Sequence, residues 1–328
     1  MVSIELGYYL AIVLLTIFFA LKNTIVRNES LFKLLWFTQF LGLSCVVRLK
    51  FDTDIVTYAS SMDSSSLLLY YLREPVVWLG QRYLYYVLDS SYLVFLIFDS
   101  IVALFLYAAL RRISAPQYLY FSILLFFPFV LGMQNIYRQW VACILFLYSF
   151  SVVITGGSRT KSYAVFLLSV LSHNVAGIFL PLLFILKRKP LGVLVFYMAM
   201  LISVLGIYLG ADTKSSADTG ANLSVAYIAM MVTFIVLFVA LDKGIISKNS
   251  ALTYKLQLIF LTSVVTSFLV LSSGGAERVS MFAIIVIYPF IGLKIESRIK
   301  QKVPIRIIFS LFGFVPIFLF GTSKFLVN

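Results

Sequence analysis

Apolar runs of about 15 to 22 residues recur from one end of this chain to the other. About 20 such residues span a bilayer core as a helix. The runs are continuously apolar and lack the two-residue alternation of a barrel strand, so they read as helices. Composition agrees: of 328 residues, 62% are hydrophobic and 12% charged, against roughly half and a quarter in a soluble domain. No soluble fold of this length could bury so much apolar surface. The expected class is an all-α, polytopic integral membrane protein, with residues 1–328 forming a single transmembrane domain.

The first run, 4–21, has no basic leader and contains Glu5. It is expected to be a permanent span, not a cleaved signal. Cys45 and Cys143 both lie inside apolar runs and read as buried thiols. The formal charge is +13, yet most basic residues sit in short loops between spans. They serve as topology signals, and no nucleic-acid partner is expected.

Those basic loops sort the chain. They hold Lys22, Arg27 and Lys33; Arg111 and Arg112; Arg159 and Lys161; Lys187, Arg188 and Lys189; Lys243 and Lys248; and Lys294, Arg298, Lys300 and Lys302. The positive-inside rule makes them cytoplasmic. About ten full spans follow, near 4–21, 31–47, 91–110, 118–134, 139–155, 190–209, 223–241, 252–273, 279–293 and 304–320. Both termini then lie outside. The 210–222 stretch is polar and small, and reads as an outer loop.

Two segments break the alternation. Residues 163–186 form one 24-residue apolar run with basic loops on both flanks. A single crossing would put one flank on the wrong side. Polar Ser172, His173 and Asn174 sit at its middle. Two short helices meeting there, as a broken-helix hairpin, satisfy both flanks, and such backbone is tolerated where it lines a protein-buried or wet cavity. Residues 67–89 place Glu74, Trp78, Gln81, Arg82, Tyr85 and Asp89 on one helical stripe. That pattern predicts an interfacial amphipathic helix.

Few basic residues remain on the outer side. Arg48 closes the second span, Arg138 opens the fifth, and Arg278 opens the ninth. Each could snorkel alone to lipid headgroups. Together they suit a lipid-linked phosphate or diphosphate, because the arginine fork matches phosphate oxygens. His173 is the only histidine. A lone histidine is often a structural hydrogen-bonder, but a polar break within a membrane run favours a functional role. Asp52, Asp54 and Glu74 supply outer carboxylates. They can accept a proton from a sugar hydroxyl or pair with the arginines, and pairing is favoured because bases outnumber acids there. Asp99 lies within a span and is expected to hold a structural hydrogen bond. No His/Cys cluster, P-loop, Rossmann glycine pattern or Gly-x-Ser-x-Gly elbow occurs, so neither metal nor cofactor is expected.

The chain resembles the EpsG-like family of Wzy-type bacterial polysaccharide polymerases. The resemblance rests on Arg48-x3-Asp52-Thr53-Asp54-x3-Tyr58, Glu74-Pro75, Asn135-x2-Arg138-Gln139-x2-Ala142, Ser172-His173-Asn174-x-Ala176 and Glu277-Arg278, in that order over nearly the whole chain. That family often has glycine where this chain has Asp52, so Asp54 is the better match to its acidic position. The resemblance implies a GT-C-like helical bundle in the bacterial cytoplasmic (inner) membrane, with its active site facing the periplasm or exterior. It implies a glycosyltransferase of exopolysaccharide or O-antigen biosynthesis. Such an enzyme moves a growing glycan from undecaprenyl diphosphate to the terminal sugar of a lipid-linked repeat unit, without a nucleotide. Arg138, Arg278, His173 and Asp54 are then the catalytic candidates. Arg48, Tyr58, Glu74, Asn135, Gln139 and Glu277 are the substrate-binding candidates. The partners implied are an undecaprenyl-diphosphate-linked oligosaccharide and membrane lipid, with a chain-length regulator protein as a further candidate.

Two rival readings use the same features. A transporter or flippase of lipid-linked oligosaccharide would also have a broken helix and intramembrane polar groups. It would need polar residues at both mouths, whereas the unexplained arginines sit on one side. An O-antigen ligase would share the donor, but a large outer loop would be expected, and the stretch from Arg48 to Ser90 is modest.

Overall fold

The computed structural model describes residues 4–22, 28–48, 54–64, 69–181, 193–210, 224–242, 248–299 and 302–312. Among these every regular element is helical. The first half contains α1 (Ile4–Leu21), α2 (Glu29–Val47), α3 (Asp54–Asp63), a 3-10 turn (Leu69–Arg73), α4 (Pro75–Leu88) and α5 (Ser91–Arg112). The centre contains α6 (Gln117–Leu125), α7 (Phe127–Gln134), α8 (Tyr137–Ile154), α9 (Arg159–Ser172) and a single turn, α10 (Val175–Ile178). The remainder contains α11 (Val193–Gly210), α12 (Ser224–Asp242), α13 (Lys248–Val270), α14 (Ser273–Arg298) and α15 (Lys302–Phe312).

Helices stand at all ten expected spans, but ten full crossings are not found. Among the described residues only α2, α5, α8 and α14 are long and apolar enough to cross a membrane, or five if the bent pair α6–α7 counts as one. Helices α1, α11, α12 and α13, of 18, 18, 19 and 23 residues, stand at four further expected spans. The last expected span is described only as the 11 residues of α15; residues 313–320 lie outside the described set, as does most of the 210–222 loop.

The expected span 118–134 is not straight. It bends by 57° between α6 and α7. Pro128, two residues past the bend, lacks an amide proton and its ring crowds the carbonyl four residues back, which ends α6. The bend takes the Leu125 carbonyl out of its helical ladder, and the Tyr9 hydroxyl of α1 donates to it at 2.5 Å. Inside a membrane such a freed group must find a protein partner.

Helices α8 and α14 form the core. The apolar windows of the two are 83% and 89% buried. They run parallel in register: Gln139 meets Arg278, the Cys143 thiol lies 3.6 Å from the Phe282 carbonyl, and Phe146 packs on Phe282 at 5.2 Å. Helix α9 packs antiparallel on α8 through small polar residues. The Ser149 hydroxyl donates to the Ser162 carbonyl at 2.7 Å, and that of Ser169 to the Ala142 carbonyl at 2.6 Å. Small hydroxyl side chains allow this close approach while pairing their own polar atoms.

Charged side chains sort to two ends. At one end Arg48 closes α2, Arg138 lies in the first turn of α8 and Arg278 in the second turn of α14. At the other, Arg111 pairs with Glu29 at 2.9 Å, and Arg306 pairs with Glu296 and donates to the Ala20 carbonyl at 3.2 Å.

Candidate functional site

The centre of the first end is Glu74. Pro75 opens α4 behind it, and no side chain caps that helix. The Glu74 carboxylate instead turns inward. One oxygen accepts from the Arg138 guanidinium, and the other accepts from the Asn174 amide at 3.2 Å. Glu74 is 3% exposed and Arg138 9%, so each compensates the other's charge in a dry environment. The Arg138 Nε also donates to the Tyr58 hydroxyl at 3.1 Å. Its guanidinium lies 4.7 Å from the Trp78 ring centre, a cation–π contact. Glu74, Trp78 and Gln81 fall on one stripe of α4, as expected. The first turns of the stripe face protein, with Trp78 and Gln81 buried, and its far end opens outward, with Asp89 exposed; Tyr83, Tyr86 and Val87 are exposed as well.

His173 reaches the same cluster. Helix α9 ends there in an extended conformation, φ −157 and ψ 126. The break expected at Ser172-His173-Asn174 is therefore present at His173. The chain beyond it is described only to residue 181, so the return of the hairpin lies outside the described residues. His173 Nδ1 accepts from the Val175 amide at 3.2 Å and sits 3.8 Å from Glu74 Oε1. Accepting that bond leaves the imidazole proton on Nε2.

Arg278 joins from α14. The Gln139 amide donates to the Arg278 carbonyl, which fixes α8 and α14 at one level. The Arg278 side chain is partly exposed and has no ion-pair or hydrogen-bond partner among the described residues. Nearby, Gln139 Oε1 and Asn135 Oδ1 are buried without a hydrogen-bond partner. Glu277, 7% exposed, precedes Arg278 in the first turns of α14.

Arg48 does not join this cluster. Its two terminal nitrogens both donate to Asp99, and Nη1 also donates to the Ser44 hydroxyl at 2.7 Å. The guanidinium lies between Phe95 and Tyr137, at 4.8 and 5.2 Å. Tyr137 donates to Asp99 Oδ1 at 2.8 Å. Arg48 thus pairs with the intramembrane carboxylate, apart from the Glu74 cluster. The signal was in the sequence: a charge inside a span needs a partner, and Asp99 and Arg48 lie on neighbouring spans.

Asp54 is the first residue of α3, one turn ahead of Tyr58. Helix geometry puts these two positions on one face. Asp52 lies outside the described residues. The sequence reading did not foresee α3 itself, nor Trp78 as a platform for Arg138. No group of three or more His, Cys, Asp and Glu side chains comes together among the described residues.

The family model that matches is that of the EpsG family, over residues 33–326. No curated protein and no solved structure matches the chain.

Proposed function

Because the chain belongs to the EpsG family, matched over residues 33–326, we propose that it is a membrane glycosyltransferase that polymerises lipid-linked repeat units on the extracytoplasmic side. The donor is a growing glycan on undecaprenyl diphosphate, and the acceptor is the terminal sugar of a second lipid-linked unit. The observation that supports this reading is that Arg138 and Arg278 stand at the same end of α8 and α14, which the Gln139 bond to the Arg278 carbonyl ties together, with Arg138 held by Glu74 and the Arg278 side chain unpaired among the described residues.

In the reaction the acceptor hydroxyl attacks the anomeric carbon. The carbon–oxygen bond to the diphosphate breaks, its electron pair leaves with the diphosphate, and the hydroxyl proton passes to a base. Negative charge grows on the leaving group, and preorganised cations stabilise it. Arg278 supplies a free fork. Arg138 supplies a second cation, oriented by Glu74, Tyr58 and Trp78. Asn135 and Gln139 carry buried acceptor oxygens without a protein donor beside this end. Between the two candidates for the base, His173 has its Nδ1 lone pair occupied by the Val175 amide. This favours Asp54 as the base and His173 Nε2 as a donor.

The test is glycan laddering in cells that lack their own polymerase and carry variants of this chain. Arg278→Ala should abolish the ladder at unchanged protein abundance. Losing one forked contact to the departing diphosphate costs about 3 kcal/mol, or roughly a hundredfold in rate. Arg278→Lys should restore only part, since a point charge replaces the planar fork. A normal ladder from Arg278→Ala would refute the assignment.

A further inference from the structure

Beyond the Glu74 cluster, α4 continues toward a cleft that the mechanism above does not use. The cleft has a volume of about 540 Å³ and is lined by Met62, Asp63, Ser64, Arg82, Tyr85, Tyr86 and Asp89. That volume lies within the range of small-ligand pockets, roughly 300–1,000 Å³. Its walls come from the C-terminal ends of α3 and α4. Arg82 ties the two walls together, donating to the Ser64 carbonyl while its guanidinium lies 5.3 Å from the Tyr71 ring.

The chemistry of the lining is specific. Two aspartates face one cleft with two tyrosines beside them, and Asp63 and Asp89 are both solvent-exposed. The Asp63 carboxylate, then desolvation and the Asp89 carboxylate, push the Tyr85 phenol above its ordinary range. Tyr86 is 89% exposed. Aromatic residues at a membrane interface often anchor to headgroups, and the exposed Tyr83, Tyr86 and Val87 face suits that role. Anionic headgroups would be repelled by the paired carboxylates, and hydrocarbon would not solvate them. Carboxylates that accept from neighbouring hydroxyls, next to flat rings that cover apolar C–H faces, are a lining suited to a neutral or cationic carbohydrate.

We propose that this cleft is a glycan subsite that holds the saccharide chain of a lipid-linked substrate several sugars away from the reacting bond. The inference rests on the polymerase reading and names where its saccharide lies. The spacing supports it. Tyr85 is 11 residues beyond Glu74 on a continuous helix, about 16 Å along the axis. That distance suits a short oligosaccharide and exceeds a single sugar. Both ends are set by one rigid element, so the subsite would measure chain against the Glu74–Arg138 centre. A subsite of this kind governs how long a glycan stays engaged between transfers, and so the length of the product, without touching the reacting atoms.

The test compares wild type with Asp63→Asn/Asp89→Asn, Tyr85→Ala and, on the opposite face of α4, Tyr83→Ala. Asparagine tolerates the left-handed backbone of residue 89, φ 49, so the double variant retains its helix cap. In complemented cells the double variant and Tyr85→Ala should still make the first products, but the modal chain length should fall several-fold. Tyr83→Ala should match wild type. In nanodiscs, fragments of the cells' own polysaccharide, cut to a few repeats and freed of lipid, should bind wild type and bind the double variant about tenfold more weakly. Unchanged ladders together with unchanged fragment affinity would overturn the subsite and leave the cleft as part of the membrane interface. A wild-type chain that makes no polymer in any background would sink the polymerase reading instead, and fragment binding would still decide the subsite.

Discussion

Three arginines stand at one end of this bundle, and their surroundings assign them different work. Arg48 is 4% exposed and Asp99 0%. Both charges are removed from solvent, and each is tolerable only because of the other. Arg48→Ala should therefore lower folded protein, at a cost of about 3–5 kcal/mol from the stranded Asp99 charge. The pair Arg48→Met with Asp99→Asn should recover most of the abundance, because no unpaired charge remains. Thermal unfolding in detergent and membrane abundance would measure both. Equal abundance for Arg48→Ala and the double variant would contradict a pairing role. Arg278 behaves oppositely in this account, since its loss leaves no buried carboxylate known to depend on it. Much of this was legible beforehand. Positive-inside sorting isolated Arg48, Arg138 and Arg278 as basic residues in need of a reason. It could not divide them, because the division depends on which carboxylate each one meets. Asp99 is 51 positions from Arg48, and Glu74 is 64 from Arg138.

At the scale of elements, breaks matter more than spans. Ser172-His173-Asn174 announced the end of α9 by polarity alone, because an apolar run gives up hydrocarbon only where protein receives the polar groups. The 57° bend between α6 and α7 had an equally local cause in Pro128, but the run around it is apolar throughout and hydropathy reads it as continuous. The helix α3 was hidden for another reason: it is short and half polar, and it is held in place through Tyr58, which meets Arg138 across 80 positions. The hairpin reading gives a direct prediction. In a chain whose native cysteines are replaced, single cysteines at Ser158 and Lys189 should both label from the cytoplasmic side. Opposite-sided labelling would mean that the segment after His173 crosses the membrane as a full span.

The whole molecule joins a dry helical scaffold to two charged ends, one of which carries the candidate site. The parallel pair α8 and α14 carries aromatic packing along its length and arrives at its N-terminal ends with Arg138, Gln139 and Arg278 side by side. Helix α4 approaches from the flank with Glu74, and α9 approaches antiparallel with His173. Composition and loop charge made the membrane class and the order of helices readable, since both follow from solvation alone. How many helices cross fully was less readable, because a run of apolar residues fixes neither helix length nor tilt. The central claim is that this end performs glycosyl transfer driven by its lipid diphosphate donor. The most direct measurement reconstitutes the purified chain in liposomes with undecaprenyl-diphosphate-linked repeat units and no nucleotide or metal additive, then follows glycan length and released undecaprenyl diphosphate. The account predicts lengthening glycan with one lipid diphosphate freed per added linkage, and neither product from Arg278→Ala. Repeat units that change leaflet while staying single, with no lipid diphosphate released, would contradict it.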